Sequence, residues 1–132
     1  MTGIWKRLRS DRKGGAAAEF AIIAPVLIGA LVGLAQLGIL FFANAGLSNA
    51  VAEGARYATI YPRPSNTQIQ ARISAQRWGL NPTYLTTPTI TPGTSNGATY
   101  LDISMSYNVP LNFVFFQGPS VTLTKTRRAY VF

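Results

Sequence analysis

The stretch FAIIAPVLIGALVGLAQLGILFFA, residues 20–43, decides how this chain folds. It contains no Asp, Glu, Lys or Arg, and the charge-free run continues to Ala52. As a helix, its 24 residues reach roughly 36 Å at about 1.5 Å per residue. That length crosses a hydrocarbon core of about 30 Å with some tilt. Just upstream lie Lys6, Arg7, Arg9, Arg12 and Lys13, with Asp11 among them. An excess of Lys and Arg beside a span marks its cytoplasmic side. About 80 residues follow the span region, near the lower limit for a domain with its own core.

Composition removes several function classes. The chain has no Cys and no His, so disulfides, thiol catalysis, thiolate metal sites and the usual general base are all missing. Its acids are Asp11, Glu19, Glu53 and Asp102, scattered along the sequence. No catalytic residue, metal site or cofactor is expected from that supply. The net charge of +8 divides into +4 over residues 1–14 and +4 over the remainder. The dense half flanks the span, so nucleic acid is not an expected partner.

Beyond the span the sequence grades into NAGLSNAVAEGARYATIY (44–61), where Leu47, Val51, Ala55 and Ala58 recur on one helical face. One long helix is therefore expected over 15–61, transmembrane over about 20–43. PRPS (62–65) stops it, because proline lacks the N–H and disfavours a helical predecessor. Ser65 and Gln68 fit a capping box for a second, short helix, with Ile69 and Ile73 on one face and Gly79 as its stop. The rest reads as β-structure. TYLTTPTIT (83–91) is Thr-rich, with Pro88 marking an edge, and PGTSNG (92–97) is a turn cluster. LDISMSYNV (101–109) alternates, with Leu101, Ile103, Met105, Tyr107 and Val109 set against Asp102, Ser104, Ser106 and Asn108. PLNFVFF (110–116) is an apolar excursion, and PSVTLTKTRRAYVF (119–132) is a last strand. Phe113, Phe115, Phe116, Tyr130 and Phe132 are expected to pack the small domain against the long helix. Arg127, Arg128 and Lys125 are expected to keep a strand edge soluble. The fold class is α+β: a single-pass membrane protein with a long helix, a short helix and a small antiparallel sheet.

The N-terminal constellation admits three readings. A secretory signal cut at Ala43-Asn44-Ala45 conflicts with an apolar run far longer than the usual one and with Pro25 inside it. A plain anchor with its N-terminus inside accounts for the span and its basic flank, but leaves Glu19 and its small-residue approach without a purpose. In the third reading residues 1–14 are a prepilin-type basic leader, cut between Gly14 and Gly15, so that Glu19 becomes the fifth residue of the mature chain. A carboxylate beside hydrocarbon is costly, at about 2.5–3.5 kcal/mol for a charge at the membrane centre. Such a group is usually partnered. The α-amino group exposed by the cut would let one subunit's Glu19 neutralise a neighbour's new terminus and set the axial register of packed helices. The simpler role for Glu19 is compensation of the helix dipole, worth about 0.3–1 kcal/mol.

RKGGAAAEFAIIAPVL (12–27) resembles the N-terminal motif of TadE-like pseudopilins, the minor pilin-like proteins of tight-adherence (Tad/Flp) systems. NAGLSNAVAEGARYA (44–58) is similar to that family's second signature, carried here by Glu53, Gly54, Ala55, Arg56 and Tyr57. The resemblance implies a structural protein that assembles or initiates a Tad-type pilus, and no enzyme. It implies as partners a prepilin peptidase, other pilin-like subunits and the inner-membrane pilus assembly platform. It places the chain in a bacterial inner membrane, N-terminus cytoplasmic and C-terminal domain (62–132) extracytoplasmic, with incorporation into a surface pilus open. The alternative from another class is an unprocessed, membrane-anchored extracytoplasmic binding module.

Two further features bear on assembly. Gly29 and Gly33 form a G-x-x-x-G pair, and Gly38 adds a third small surface for close helix contact. Gln36, polar within the span, either bonds across helices or is simply tolerated there. Glu53 and Arg56, three apart, can pair across a helical turn and as solvated helix charges need no function; their match to the family's second signature implies a docking surface, either for the chain's own domain or for a neighbouring subunit.

Overall fold

The computed structural model of the chain describes residues 13–113 and 116–131. Helix α1 (Lys13–Ala58) is 46 residues long, roughly 69 Å at about 1.5 Å per residue. It divides by environment. Up to Phe42 most of its large apolar side chains are exposed, Phe20, Ile22, Val26, Leu34 and Phe41 each by more than half, while Leu40 packs partly against the core. From Ala43 onward one face is buried, through Leu47, Ala50, Val51 and Ala58. Pro25 sits within the exposed half without ending the helix. Helix α1 closes three residues earlier than the sequence implies. The Thr59 and Ile60 N–H groups donate to the carbonyls of Arg56 and Tyr57, three residues back, which tightens the last turn. The chain then turns through a cis Tyr61–Pro62 bond.

Helix α2 (Asn66–Ala75) starts at the capping box: the Gln68 N–H donates to Ser65 Oγ, and the Ser65 N–H donates to Gln68 Oε1. Its buried residues are Ile69 and Ile73, as their spacing implies. A short 3-10 helix (Pro82–Tyr84) leads to three antiparallel strands, β1 (Thr89–Ser95), β2 (Ala98–Val109) and β3 (Val121–Val131), in spatial order β1-β2-β3. The central strand β2 buries Leu101, Ile103, Met105, Tyr107 and Val109, the set that alternation selects. The core is the layer between this face of the sheet, α2 and the second half of α1. Fully burying an aliphatic side chain such as Leu47, Ile69 or Ile103 contributes about 1.5–3 kcal/mol, so the domain and the distal half of α1 form one cooperative unit.

Four local expectations are corrected. Helix α2 ends at Ala75, where the Gln76 N–H caps it, whereas Gly79 (φ +74°) serves a separate turn under the Phe42 ring. The cluster 92–97 is mostly strand. The turn itself is the two-residue Asn96-Gly97, both at positive φ (50° and 79°), the type that matches strand twist. Pro92 thus lies within edge strand β1, opposite Leu101. Residues 83–88 are not strand but carry the 3-10 turn and a single bridge, Leu85 to Tyr107. Finally, Phe116 and Tyr130 are exposed rather than core; Phe115 and Phe132 lie outside the described residues.

Candidate functional site

Candidate interaction residues fall along α1, and the structure sorts them into two groups. The first group is committed to the chain's own domain. Glu53 receives the Arg56 guanidinium at 3.0 and 2.9 Å, the pairing that three-residue spacing allows. It also receives Arg72 from α2 at 2.8 and 3.3 Å, a partner that sequence spacing does not reveal. Hydrogen bonds from these two arginines hold the Glu53 carboxyl down at about 2, from an ordinary 4.5. The Arg72 guanidinium lies 5.8 Å from the Tyr57 ring centroid, within cation–π range. Beside them, Gly54 is where α2 touches α1. A Cβ on Gly54 would meet Ile73 Cγ1 at 2.3 Å. Ala55 is half-buried against the core.

Gly46 does the same one level lower, where a Cβ would lie 2.9 Å from the Trp78 carbonyl oxygen. Sequence reading passed over Gly46, yet Gly46, Ala50, Gly54 and Ala58 recur every four residues. That stripe of small side chains was the available signal for close approach of a second element.

The second group meets no such partner among the described residues. Gly14 and Gly15 are exposed, inside the first turn of α1, with open space where a Cβ would stand. The preceding basic residues of the expected leader lie outside the described residues, apart from Lys13, which begins the helix. Glu19 is exposed one turn further on. Gly29, Gly33 and Gly38 likewise have nothing within 4 Å of a built Cβ. Gln36 does find a partner, the backbone carbonyl of Asn112 in the loop after β2, so its amide is satisfied within the chain.

The remaining charges belong to the sheet. Asp102 and Arg128 are cross-strand partners joined by two hydrogen bonds of 2.8 Å, with the guanidinium 3.8 Å from the Tyr100 centroid. The Arg128 contact holds the Asp102 carboxyl below its ordinary value. Arg127 and Arg128 therefore do different things. Arg128 is held in this ion pair and Arg127 is not, and both border an open groove with Ala52, Ala55 and Arg56 of α1. Among the described acids, Glu53 and Asp102 are both occupied by arginine.

A long apolar helix, bare along its first half and sunk into a small α+β domain along its second, defines a helix-anchored domain protein. The bare half has the length and composition to cross a membrane. Residues 14–56 match the model of the TadE-like protein family, the family that the two motifs of this helix resemble. The matched segment covers both groups of α1 residues up to Arg56 and stops before the sheet. No curated protein and no solved structure matches the chain.

Proposed function

We propose that this chain is a minor pseudopilin that helps to assemble or initiate a Tad/Flp-type pilus after a prepilin peptidase cuts between Gly14 and Gly15. One observation carries the reading: within the family-matched segment, the helix from Gly14 to Phe42 offers an apolar surface that the chain's own domain largely leaves free. Side chains such as Phe20, Ile22 and Val26 gain nothing by exposure to water. In a bilayer they are solvated by lipid, and in a filament by the helices of other pilin-like subunits. Small surfaces at Gly29, Gly33 and Gly38 favour close backbone approach between such helices. Glu19, exposed at the N-terminal end of this surface, is placed in sequence to neutralise a neighbouring subunit's new α-amino group.

In this account the basic leader keeps the N-terminus cytoplasmic, the domain from residue 62 onward lies outside the inner membrane, and cleavage removes the tether that opposes extraction toward the assembly platform. The side-chain chemistry serves adhesion of chains to one another, and no catalytic step is invoked. The test is the intact mass and N-terminal sequence of the protein produced with and without its cognate prepilin peptidase. A peptidase-dependent loss of about 1.7 kDa, exposing Gly15, supports the reading. An uncut chain beside an active peptidase supports a permanently anchored binding module instead, and a cut after Ala45 supports a secreted domain.

A further inference from the structure

The loop between β2 and β3 does not stay with the domain. Its Asn112 carbonyl bonds Gln36, which lies seven residues before Ala43, the first buried position of α1. At about 1.5 Å per residue, the loop therefore extends about 10 Å beyond the level at which the domain begins to cover the helix. Leu111 and Phe113 face Gly33, Leu34, Leu37 and Leu40 across an open apolar groove of about 470 Å³. Beyond them the Phe113 and Phe116 rings stack at 4.9 Å, and Phe116 is 62% exposed. Nearer the domain, Trp78 is 76% exposed and packs against Phe42 at 5.5 Å.

We propose that this loop is a second membrane element, dipping Phe113 and Phe116 into the outer leaflet beside the span while Trp78 sits at the headgroup level. The inference rests on α1 spanning the membrane through its bare half. Three observations select lipid as the occupant. First, the loop is continuous with the span, lying against the same helix surface that lipid would cover. Second, its chemistry suits a bilayer: no charged residue occurs between Asp102 and Lys125, and an exposed Trp beside an apolar patch is the interfacial pattern.

Third, irregular backbone in hydrocarbon needs its polar groups satisfied, and four hydrogen bonds among the described residues of the loop meet part of that need. The Phe113 N–H donates to the Phe116 carbonyl and the Phe116 N–H to that of Phe113, at 3.0 and 3.3 Å. The Gly118 N–H donates to the Leu111 carbonyl at 2.8 Å, and the Asn112 carbonyl takes the Gln36 amide. The same bond removes the cost of carrying Gln36 unpaired in the span. Asn112 and Gln117 stand opposite each other at a single bridge. The depth is that of an interfacial segment, about 5–10 Å below the headgroup boundary.

The test uses the full chain in phosphatidylcholine–phosphatidylglycerol vesicles, in a Trp5→Phe, Trp78→Phe background. Phe116→Trp then reports from the loop and Leu27→Trp from the span; both sites are exposed, and an aromatic ring is kept at 116 beside Phe113. Lipids carrying a nitroxide on the acyl chain quench from the membrane interior, and acrylamide quenches from water. The expected result is loss of Phe116→Trp emission to the acyl-chain nitroxide, comparable to that of Leu27→Trp, with little loss to acrylamide. Quenching of Phe116→Trp by acrylamide alone, while Leu27→Trp responds to lipid, overturns the loop inference and leaves the span intact. Shielding of Phe116→Trp from both quenchers means that protein, such as a second copy of the chain, covers the loop, and this also overturns it. Failure of Leu27→Trp to respond to lipid overturns the span and the loop together.

Discussion

Gly54→Ala is the substitution that tests most directly how α1 and the domain are joined. In a solvated helix interior the change would stabilise, since alanine gains about 1 kcal/mol over glycine in propensity. Here the new methyl would stand 2.3 Å from Ile73 Cγ1 and 2.6 Å from Cδ1, both far inside contact distance. Ile73 is fully buried and β-branched, so it has no free rotamer to retreat into. Overpacking of this kind costs about 1–3 kcal/mol, and contacts this short put Gly54→Ala at the upper end. The net expectation is a loss of about 2 kcal/mol, the strain less the propensity gain. A double-mutant cycle isolates the contact. Ile73→Ala alone should lose about 2–5 kcal/mol by leaving a cavity, but in the double variant the new methyl partly fills that cavity. The two losses should then fall short of additivity by at least about 1 kcal/mol. The assay is denaturant unfolding of the full chain in detergent micelles, followed by Trp78 fluorescence in a Trp5→Phe background, since Trp78 reports packing against Phe42. If Gly54→Ala stabilises by its propensity alone, and the two substitutions add, the helices do not meet at Gly54 and the reasoning fails.

Other expectations follow from single contacts. Glu53 has its pKa lowered from 4.5 to about 2 by Arg56 and Arg72; a lowered acid contributes stability above its unfolded pKa that is lost as pH falls through the folded one. Thermal stability of the wild type should therefore fall as pH drops from 4.5 to about 2, and Glu53→Gln should flatten part of that slope. A slope unchanged in Glu53→Gln would assign the acid sensitivity elsewhere, Asp102 being the next group. Gly97, at φ +79° with open space around it, should lose about 1–2 kcal/mol as Gly97→Ala through backbone strain alone, and less as Gly97→Asn. Equal stability of all three in denaturant melts would count against the Asn96-Gly97 turn. Glu19→Ala should leave membrane insertion unchanged yet reduce co-purification with partner pilins after processing; undiminished assembly would remove the charge-pairing role.

The sequence by itself determined the long helix, the start of α2 and the buried face of β2, which rest on periodicity and short-range bonds. A charge-free apolar run forces a long helix whatever surrounds it, since its backbone bonds are internal to the segment. Strict alternation in 101–109 assigns Leu101, Ile103, Met105, Tyr107 and Val109 to the core, because a one-residue slip would bury Asp102 and the serines. Ser65 and Gln68 start α2 through bonds that reach only three residues. The TadE-like motifs are legible for the same reason: each is a continuous stretch of one helix.

What the tertiary structure decided are contacts between segments distant in the chain, for which local pattern carries no information. The sequence marks Glu53 and Arg56 as a pair, but Arg72 joins them only because Gly54 lets α2 come close. The aromatic residues after β2 look like core by composition. Of the described ones, Phe116 is exposed and Phe113 half-buried beside the apolar half of α1, where the Asn112 carbonyl finds the Gln36 amide. Gly29, Gly33 and Gly38 stand out in sequence, yet among the described residues the α1 glycines that meet another element are Gly46 and Gly54. Both kinds lie on the same helix with similar neighbours in sequence. Only where the domain folds back onto α1 does the absence of a side chain become a contact; below that level it leaves the helix surface open.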